Sequence, residues 1–277
     1  MPCADHPLPT MFVTRDYDHC VIGNYLKKKH NPLSQLIGKP ETTAIYIPKA
    51  DFEDLIQQAL AAGAGGMRMY FASYCATGFA PVDEIVAAGY DKMLTLTFAP
   101  TDASGTDLGQ YYLFNPAGGL INIPKPIAVI LNGSYRNVKI PLLTAIITDC
   151  GKPGFQETKS MWLEFEKLHG SCGFVREMQC QGAHGIAIFI GCYPIGYILP
   201  GTTYDVSWQM TVIFELTKTV KYFGNTPYTY VFDVEDTDGY DRRKGGSGEP
   251  ATRSDYTILG GNTINPCPPS TTNCGGA

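Results

Sequence analysis

The chain has 277 residues, of which 44% are hydrophobic and only 17% are charged, and its formal net charge is −5. A chain of this length and composition can bury a substantial core and exposes a surface with little charge. The negative charge provides no electrostatic footprint for nucleic acid or for an anionic membrane, so we expect neither as a partner. A weakly charged surface suits contact with other copies of the same chain.

The beginning of the chain, MPCADHPLPTMFVTRDYDH, has no basic segment followed by an apolar run, and no stretch approaches the roughly 18 apolar residues of a membrane span. We therefore expect neither a secretory signal nor a transmembrane helix, and a cytoplasmic location. The nine cysteines are scattered through the chain. Reduced, buried thiols are the simpler interpretation, and a disulfide framework is the alternative.

The first half is predicted to begin with a helix from Arg15 to about Lys29 that Thr14 caps and Asn31-Pro32 ends. Residues 42–74 then indicate strand, helix and strand. A short apolar run ends at Pro48, and Asp51 is the predicted N-cap of a helix. The helix has a single apolar stripe formed by Phe52, Leu55, Ile56, Ala59 and Leu60.

The pattern changes to period two after this helix, which is typical of strands. Met67, Met69 and Phe71 lie on one face of a predicted strand, and Arg68, Tyr70 and Tyr74 lie on the other. Further strands are predicted over residues 92–99 and 111–114. A stretch rich in proline and glycine, residues 115–126, is the predicted boundary of this first unit.

The second half is predicted to be richer in strands. Apolar runs at residues 127–131 and 138–148 are typical of buried strands, and residues 185–193 of a central strand. A helical stripe formed by Met161, Trp162, Phe165 and Leu168 ends at Gly170. Strict alternation over residues 204–216 predicts a long strand with one dry face, and residues 228–234 a further strand.

The patterns together predict an α+β protein with mostly antiparallel sheets and a few amphipathic helices. We expect an α+β unit over residues 1–125, a β-rich unit over 126–258 and a low-complexity tail over 259–277. Each unit is expected to close over its own apolar interior. Both contain a strand, a helix and a further strand, but their residues do not superimpose well enough to predict an internal repeat.

Five segments, IGNYL (22–26), AIYIPKADFEDLI (44–56), GGMRMYFASY (65–74), KMLTLTFAPTD (92–102) and CPPSTTNC (267–274), carry a family likeness. The chain resembles an uncharacterised family of small Bacteroidota proteins that have a Gly-x-Arg-x-Tyr-Phe strand and a Cys-Pro-Pro tail. The resemblance covers about residues 16–114 and the tail. It implies a bacterial, cytoplasmic setting and no particular activity.

Two candidate reaction centres can be identified in the second half. His169, Cys172, Cys180 and His184 are the residue types that bind zinc, although the two cysteines are farther apart than in known zinc fingers. Zinc is therefore a possible cofactor, and the end of a helix is the alternative role for His169. A thiol at a strand end, Cys75 or Cys192, could also be a nucleophile with His184 as its base, but no nucleophile signature surrounds either one.

Two functions follow from these patterns. The first is a structural or interaction protein without catalytic activity that assembles with itself into a homo-oligomer or filament. In that case Arg68, Tyr70 and Tyr74 would provide a polar sheet face for binding. The second is a small metal-dependent or Cys/His hydrolase centred on His169, Cys172, Cys180 and His184.

Overall fold

The computed structural model describes residues 12–170, 173–180, 182–198, 203–222, 232–236 and 256–259. The elements in chain order are β1 (Phe12–Thr14), α1 (Arg15–Tyr25), α2 (Asn31–Ile37), β2 (Ala44–Pro48), α3 (Lys49–Ala61), β3 (Gly66–Ser73), α4 (Ala80–Ile85), β4 (Leu94–Thr101), β5 (Tyr111–Phe114), β6 (Leu120–Ile123), α5 (Lys125–Ser134), α6 (Ile140–Asp149), β7 (Ser160–Glu164), α7 (Phe165–His169), α8 (Phe174–Cys180), β8 (Gly185–Cys192), β9 (Met210–Tyr222), β10 (Phe232–Asp236) and β11 (Tyr256–Leu259). Three π-helical turns also lie within the described residues, at Leu26–His30, Val86–Tyr90 and Tyr135–Lys139.

The described strands form two antiparallel sheets. Sheet A has the order β1-β11-β9-β8-β2, with β10 beside β9, and sheet B has the order β6-β5-β4-β3-β7. Helices pack on these sheets, for example α1 on β8 and α5 on β3. The predicted α+β class with mostly antiparallel sheets is therefore confirmed.

One apolar core joins the two sheets. It contains the row Met67, Met69 and Phe71 of β3, four residues of the α3 stripe, and the alternate residues of β8 and β9 up to Leu216. The β3 row is at most 1% exposed, and Leu216 is 8% exposed. The predicted inward faces are correct where each follows the period of its own backbone. The exception is Leu60, which was predicted in the α3 stripe and is 38% exposed at the end of that helix.

Two stretches that were predicted as strands are helices. Residues 127–131 lie in α5, and residues 138–148 lie in the π turn and α6. A continuous apolar run does not distinguish a buried strand from a buried helix by its period. Pro126 and Pro141 lie in the first turn of α5 and α6, where proline is well tolerated.

Two predictions about helix ends in the first half are wrong. Pro32 lies in the first turn of α2 and does not end the helical segment, which continues to Ile37 and is closed by Gly38 at φ +72°. Nor is Asp51 an N-cap, since α3 begins at Lys49 and the Asp51 Oδ2 accepts a hydrogen bond from the Gly119 N–H at 2.7 Å.

The remaining differences concern the second half. Residues 160–164 form a strand where a helical stripe was predicted, and β9 begins at Met210, six residues after the predicted start of the alternation. Of the predicted strand at 228–234, the structure describes residues 232–234, which lie in β10. The predicted tail at 259–277 lies outside the described residues except for Leu259, the last residue of β11.

Most of the order of elements occurs twice. The first half, residues 12–114, runs β1, α1, π turn, α2, β2, α3, β3, β4, β5, with α4 and the π turn Val86–Tyr90 inserted between β3 and β4. The second half, residues 120–259, runs β6, α5, π turn, α6, β7, α7 with α8, β8, β9, β11, with β10 inserted between β9 and β11. The two halves are therefore related by an approximate two-fold symmetry that exchanges sheets A and B.

Individual hydrogen bonds repeat between the halves as well. Tyr25 donates its hydroxyl to the carbonyl of Thr42 at 2.8 Å, and Tyr135 donates to the carbonyl of Thr158 at 2.9 Å. The structure thus contains an internal repeat that the residues alone did not superimpose well enough to predict. The sequence hides the repeat because insertions, such as the one around Phe155, change the spacing between equivalent residues.

The halves exchange strands. Strand β2 of the first half pairs with β8 of the second, and β7 of the second half pairs with β3 of the first. The predicted boundary at 115–126 coincides with the junction between the halves. The units 1–125 and 126–258 do not close over separate interiors, however, because each half supplies an edge strand to the other's sheet and the core is shared.

Candidate functional site

Four charged side chains are withdrawn from solvent at the junction of the two halves. Lys29 forms an ion pair with Glu157, and Lys139 forms an ion pair with Glu41. The exposed fraction of these four residues ranges from 0% for Lys29 to 5% for Glu157. Each pair joins one half to the other, and the approximate symmetry relates the two pairs. We call Lys29, Glu41, Lys139 and Glu157 the junction quartet.

The two lysines are brought to the interior by equivalent π turns. Lys29 lies in the turn Leu26–His30 and Lys139 ends the turn Tyr135–Lys139. A π turn contains more residues than an α-helical turn and changes the direction in which the side chains point, and such turns are rare enough to mark a special site. The same turns place Tyr25 and Tyr135, each four residues before its lysine, in the core.

Each carboxylate of the quartet accepts three hydrogen bonds. The Oε1 of Glu41 accepts hydrogen bonds from the N–H groups of Thr42 at 2.8 Å and Leu94 at 2.7 Å. The Oε1 of Glu157 accepts from Thr158 at 2.9 Å and from Met210 at 2.6 Å. Because Oε2 is bound to a lysine in each case, both carboxylates are held in place by two backbone N–H groups and a counter-charge.

The titratable groups around the quartet are held neutral. Burial raises the pKa of Tyr25 and of Tyr135 well above its usual value, and burial raises the pKa of the Cys192 thiol to about 12. The Cys192 Sγ donates to the carbonyl of Trp208 at 3.1 Å. A protonated, buried thiol is not a nucleophile, because the thiolate is the reactive form.

The predicted Cys–His pairs are not supported. His184 precedes β8 and Cys192 ends it, so at about 3.3 Å per residue the strand separates them by about 26 Å. Cys75 is half-buried, and burial raises its pKa, although a hydrogen bond from Ser134 acts in the opposite direction. The pairing of Cys192 with His184 is therefore wrong, and Cys75 is not activated.

The structure describes only part of the predicted zinc site. The side chains of His169 and His184 are exposed, and the His169 ring stacks on Phe165 with 6.1 Å between ring centroids. Cys172 and the side chain of Cys180 lie outside the described residues. No group of three potential metal ligands occurs among the side chains that the structure describes. Zinc binding stays a prediction.

Only part of the predicted polar face of β3 is exposed. Arg68 and Tyr70 are partly exposed and bind the loop that follows β4: Arg68 contacts the Gly105 carbonyl and places Nε 3.3 Å from Asp107 Oδ1. Tyr70 donates its hydroxyl to Asp107 Oδ2 at 2.6 Å. Tyr74 is only 2% exposed and packs with residues of α4 and α5, so its assignment to an exposed face is wrong.

Two cysteines differ from the expected reduced state. Cys20 in α1 and Cys150, directly after α6, are disulfide-bonded, whereas Cys75 and Cys192 are free. The interpretation that the thiols are reduced is therefore wrong for Cys20 and Cys150. The odd number of cysteines and their scattered positions did not predict these disulfide bonds, because spacing alone does not define which cysteines pair.

An apolar surface on α5 and α6 was missed by the sequence analysis, which predicted strands there. Val129 is 59% exposed, Ile130 41% and Val138 45%. Pro141 and Ala145 are exposed on the same helical segment. We call these five residues the α5–α6 face. The signal that could have identified it is the very high apolar content of residues 127–147, too great for a single buried stripe.

The first half provides a comparison for this face, since α1 and α2 are the equivalents of α5 and α6. Aligning Lys29 with Lys139 places Lys28 at the position of Val138. The same alignment places Asn31 at Pro141 and Gln35 at Ala145. Asn31 and Gln35 are exposed, so the fold accepts polar residues at these two outward positions, whereas Lys28 is half-buried with its Nζ 5.4 Å from the centre of the Trp208 ring.

Comparison with protein-family models, with curated proteins and with solved structures finds no match for the chain. In the part of the chain that the structure describes, no helix is both long enough and apolar enough to cross a membrane.

Proposed function

We propose that the protein is a structural or interaction protein that assembles with itself into a homo-oligomer or filament, and that the α5–α6 face is the contact surface. The observation that carries this proposal is the difference between equivalent helices. Val138 is 45% exposed where the first half has Lys28, and Pro141 and Ala145 replace Asn31 and Gln35. Exposed apolar residues that the fold does not need are typical of interfaces.

The ends of the same segment favour a second copy as the partner. Lys125 begins α5, Asp149 ends α6, and both are exposed. In a two-fold symmetric contact, two antiparallel copies of this segment would bring Lys125 of one copy to Asp149 of the other. Such a contact uses the same surface of both copies. It also places the positive end of each helix dipole beside the negative end of the other.

The interior supports an assembly role over a catalytic one. Each carboxylate of the junction quartet is held by two backbone N–H groups and a lysine, and burial raises the pKa of the thiol and the two phenols beside it. The pocket beneath α3 is lined by apolar side chains alone, among them Phe52, Met67, Phe98 and Phe214. A reaction centre normally combines a cavity with convergent polar groups.

The disulfide-bonded cysteines bear on the compartment. Disulfides persist in oxidising environments and are rare in the cytosol. Cys20 and Cys150 therefore favour an oxidising compartment over the cytoplasmic location expected from the sequence.

Size-exclusion chromatography with light scattering tests the proposal. The wild-type chain should elute above its monomer mass of 30.2 kDa at micromolar concentration, and Val138→Lys should shift it to the monomer. Gln35→Lys, an exposed change in the equivalent helix, is the matched control and should leave the assembly intact. A wild-type monomer at every concentration, or equal behaviour of both variants, would overturn the proposal.

A further inference from the structure

We propose that strand β6 is a second self-association surface, which pairs antiparallel with β6 of a second copy and so continues sheet B from one molecule into the next. The surface consists of residues 120–123, at the edge of sheet B and outside the α5–α6 face. A molecule with two different self-complementary surfaces forms a filament and not a closed dimer. The filament rests on the α5–α6 contact proposed above, whereas the β6 pairing does not.

The outer edge of β6 has two residues whose backbone groups point away from the sheet. Among the described strands, β6 pairs with β5 alone. Asn115 donates its N–H to the Gly119 carbonyl at 2.9 Å, so this pair is hydrogen-bonded and the pairs beyond it alternate. Ile121 therefore bonds to β5, whereas Leu120 and Asn122, on either side of it, direct their N–H and C=O groups outward.

This edge lacks the features that usually prevent a strand from pairing with another chain. Such features include charged side chains, prolines and bulges. Residues 120–123 contain no charge and no proline, and their register with β5 is regular. By contrast, the edge strand β2 ends at Pro48, and β7, at the opposite edge of sheet B, ends at Glu164. Leu120 is half-buried and Asn122 is exposed, so a partner strand can reach the outward groups.

The geometry of the edge favours a second copy as the partner. When β6 pairs antiparallel with itself, only one register pairs both outward residues. In that register Leu120 faces Asn122 of the second copy, Asn122 faces its Leu120, and each pair exchanges both of its N–H···O bonds. Ile121 then lies opposite Ile121 of the second copy on the two-fold axis. The contact is therefore isologous, with the same four residues used on both sides.

Charge also suits this self-pairing. Residues 115–124 contain no charged side chain, so like charges do not meet at the axis, where each residue lies near its own copy. The register brings the exposed Lys125 toward the turn at 115–119 of the other copy. Asp51 lies at that turn, where its carboxylate accepts a hydrogen bond from the Gly119 N–H at 2.7 Å. A strand of unrelated sequence would lack this match of opposite charges.

Lys125 borders both the β6 edge and the α5–α6 face, and its ammonium has donors for a carboxylate in each contact. The β6 contact is expected to be the weaker of the two, because a strand of four residues buries less than the roughly 1,000 Å² of a stable interface. Dimers joined by the α5–α6 face therefore form first, and β6 joins them at higher concentration. This order allows the two contacts to be measured separately.

A disulfide across the axis tests the register. In Ile121→Cys, position 121 lies opposite itself in a non-hydrogen-bonded pair, where Cα atoms are about 4.5 Å apart and a disulfide can form. After mild oxidation of concentrated protein, peptide mapping should find position 121 linked to position 121 of the second copy. Asn122→Cys is the matched control, because position 122 faces position 120 and lies too far from its own copy. Links at 122 in place of 121, or no link at 121, would overturn the inference.

Light scattering over a concentration series tests the assembly. The wild-type chain should grow beyond the dimer as its concentration rises. Asn122→Pro should raise the concentration that this growth requires by about tenfold or more, because each pairing loses an N–H donor from both copies. The Asn122 N–H makes no bond to β5, so sheet B should tolerate proline there, and thermal unfolding verifies that the variant is folded. Asn122→Thr keeps the N–H and should grow like the wild type.

The β6 pairing and the α5–α6 contact fail separately. Val138→Lys removes the α5–α6 contact and should leave the link at position 121 intact. A link at position 121, with no effect of Val138→Lys on the micromolar dimer, would overturn the α5–α6 contact alone. A micromolar dimer that Val138→Lys dissociates, with no link at position 121, would overturn the β6 pairing alone.

Discussion

Lys92 and Trp208 have the same unusual backbone conformation, with φ of +64° and +67°. Each bonds back to the tyrosine that directly follows the preceding strand of the same sheet. Lys92 donates its N–H to the Tyr74 carbonyl at 2.8 Å, and Trp208 donates to the Tyr193 carbonyl at 3.1 Å. A left-handed conformation is costly for residues other than glycine, so its occurrence at equivalent places in both halves indicates a feature of the repeat itself.

The symmetry predicts equal energetic effects at equivalent ion pairs. Lys29→Met and Lys139→Met should each lower the free energy of unfolding by about 3 to 5 kcal/mol, because each leaves a buried carboxylate without its counter-charge. The double variants Lys29→Met/Glu157→Met and Lys139→Met/Glu41→Met should recover most of that loss. Urea unfolding of all four proteins measures these differences.

Additive losses in the free energy of unfolding would contradict the assignment of Lys29 and Glu157 as an ion pair. Glu157→Met completes the cycle. If the losses in Lys29→Met and Glu157→Met sum to the loss in the double variant, the side chains do not act as a pair.

The glycines beneath the exchanged aromatic residues are predicted to tolerate no side chain. Gly66→Ala and Gly185→Ala should each lower stability by about 1 to 3 kcal/mol, since the added methyl group overlaps Trp162 or the Tyr46 ring. Gly23→Ala is the matched control, because a Cβ at that helical position meets no atom within 4 Å. Its expected effect is neutral or stabilising by up to about 1 kcal/mol. Thermal unfolding of the three variants separates these outcomes.

Stability is predicted to fall at alkaline pH because of Cys192. Its folded-state pKa of about 12 lies above the ordinary value of 9.0, so the folded state keeps a proton that the unfolded state loses. The stabilisation is complete below pH 9.0 and decreases above it by up to about 1.4 kcal/mol per pH unit, until pH reaches about 12. Cys192→Ala should therefore show a shallower decline.

Denaturant unfolding between pH 8 and 10.5 checks this difference. Lys139, whose pKa is lowered by burial against the opposing effect of Glu41, acts in the opposite direction, but it is present in both proteins and cancels in the comparison. Parallel curves for the wild type and Cys192→Ala would show that this thiol is not held protonated.

Thiol accessibility should divide the four cysteines whose side chains the structure describes into three groups. Peptides that contain Cys20 and Cys150 should carry no alkylated thiol before reduction, because both residues are disulfide-bonded. Cys75, which is half-buried, should react in the native protein, and the buried Cys192 only after unfolding. Mass spectrometry of the alkylated peptides measures this directly, and complete alkylation of Cys20 in native, unreduced protein would contradict the assignment.

The sequence was sufficient to predict which face of an element is buried where the apolar pattern follows the period of the local backbone. The β3 row ending at Phe71 and the α3 stripe, except Leu60, were correctly placed because their periods of 2 and 3.6 are different and clear. The apolar residues of α5 and α6 had no such contrast, so they were assigned to strands. Because these residues were predicted to form buried strands, the sequence did not indicate which of them lie on the exposed side of a helix. The α5–α6 face was therefore not predicted.

The exchange of strands depends on information that a local pattern does not carry. Nothing in the period of residues 44–48 indicates whether they pair with β3, which follows in the chain, or with β8 in the other half. Lys29 and Glu157 illustrate the same limit, because each is a charged residue that appears solvent-exposed until its distant partner is known. Sequential strands are commonly neighbours, as β3 and β4 are here, but β2 and β3 lie in different sheets.

A single engineered disulfide tests the exchanged architecture most directly. Tyr46 lies opposite Ala187, and because Ile190 donates to Thr43 the ladder makes this a non-hydrogen-bonded position, where Cα atoms lie about 4.5 Å apart. That separation is within the span of a disulfide. In Tyr46→Cys/Ala187→Cys, we predict that peptide mapping finds positions 46 and 187 linked in the monomer, whereas Tyr46→Cys/Arg68→Cys gives no link. A link between positions 46 and 68, with none between 46 and 187, would contradict the account.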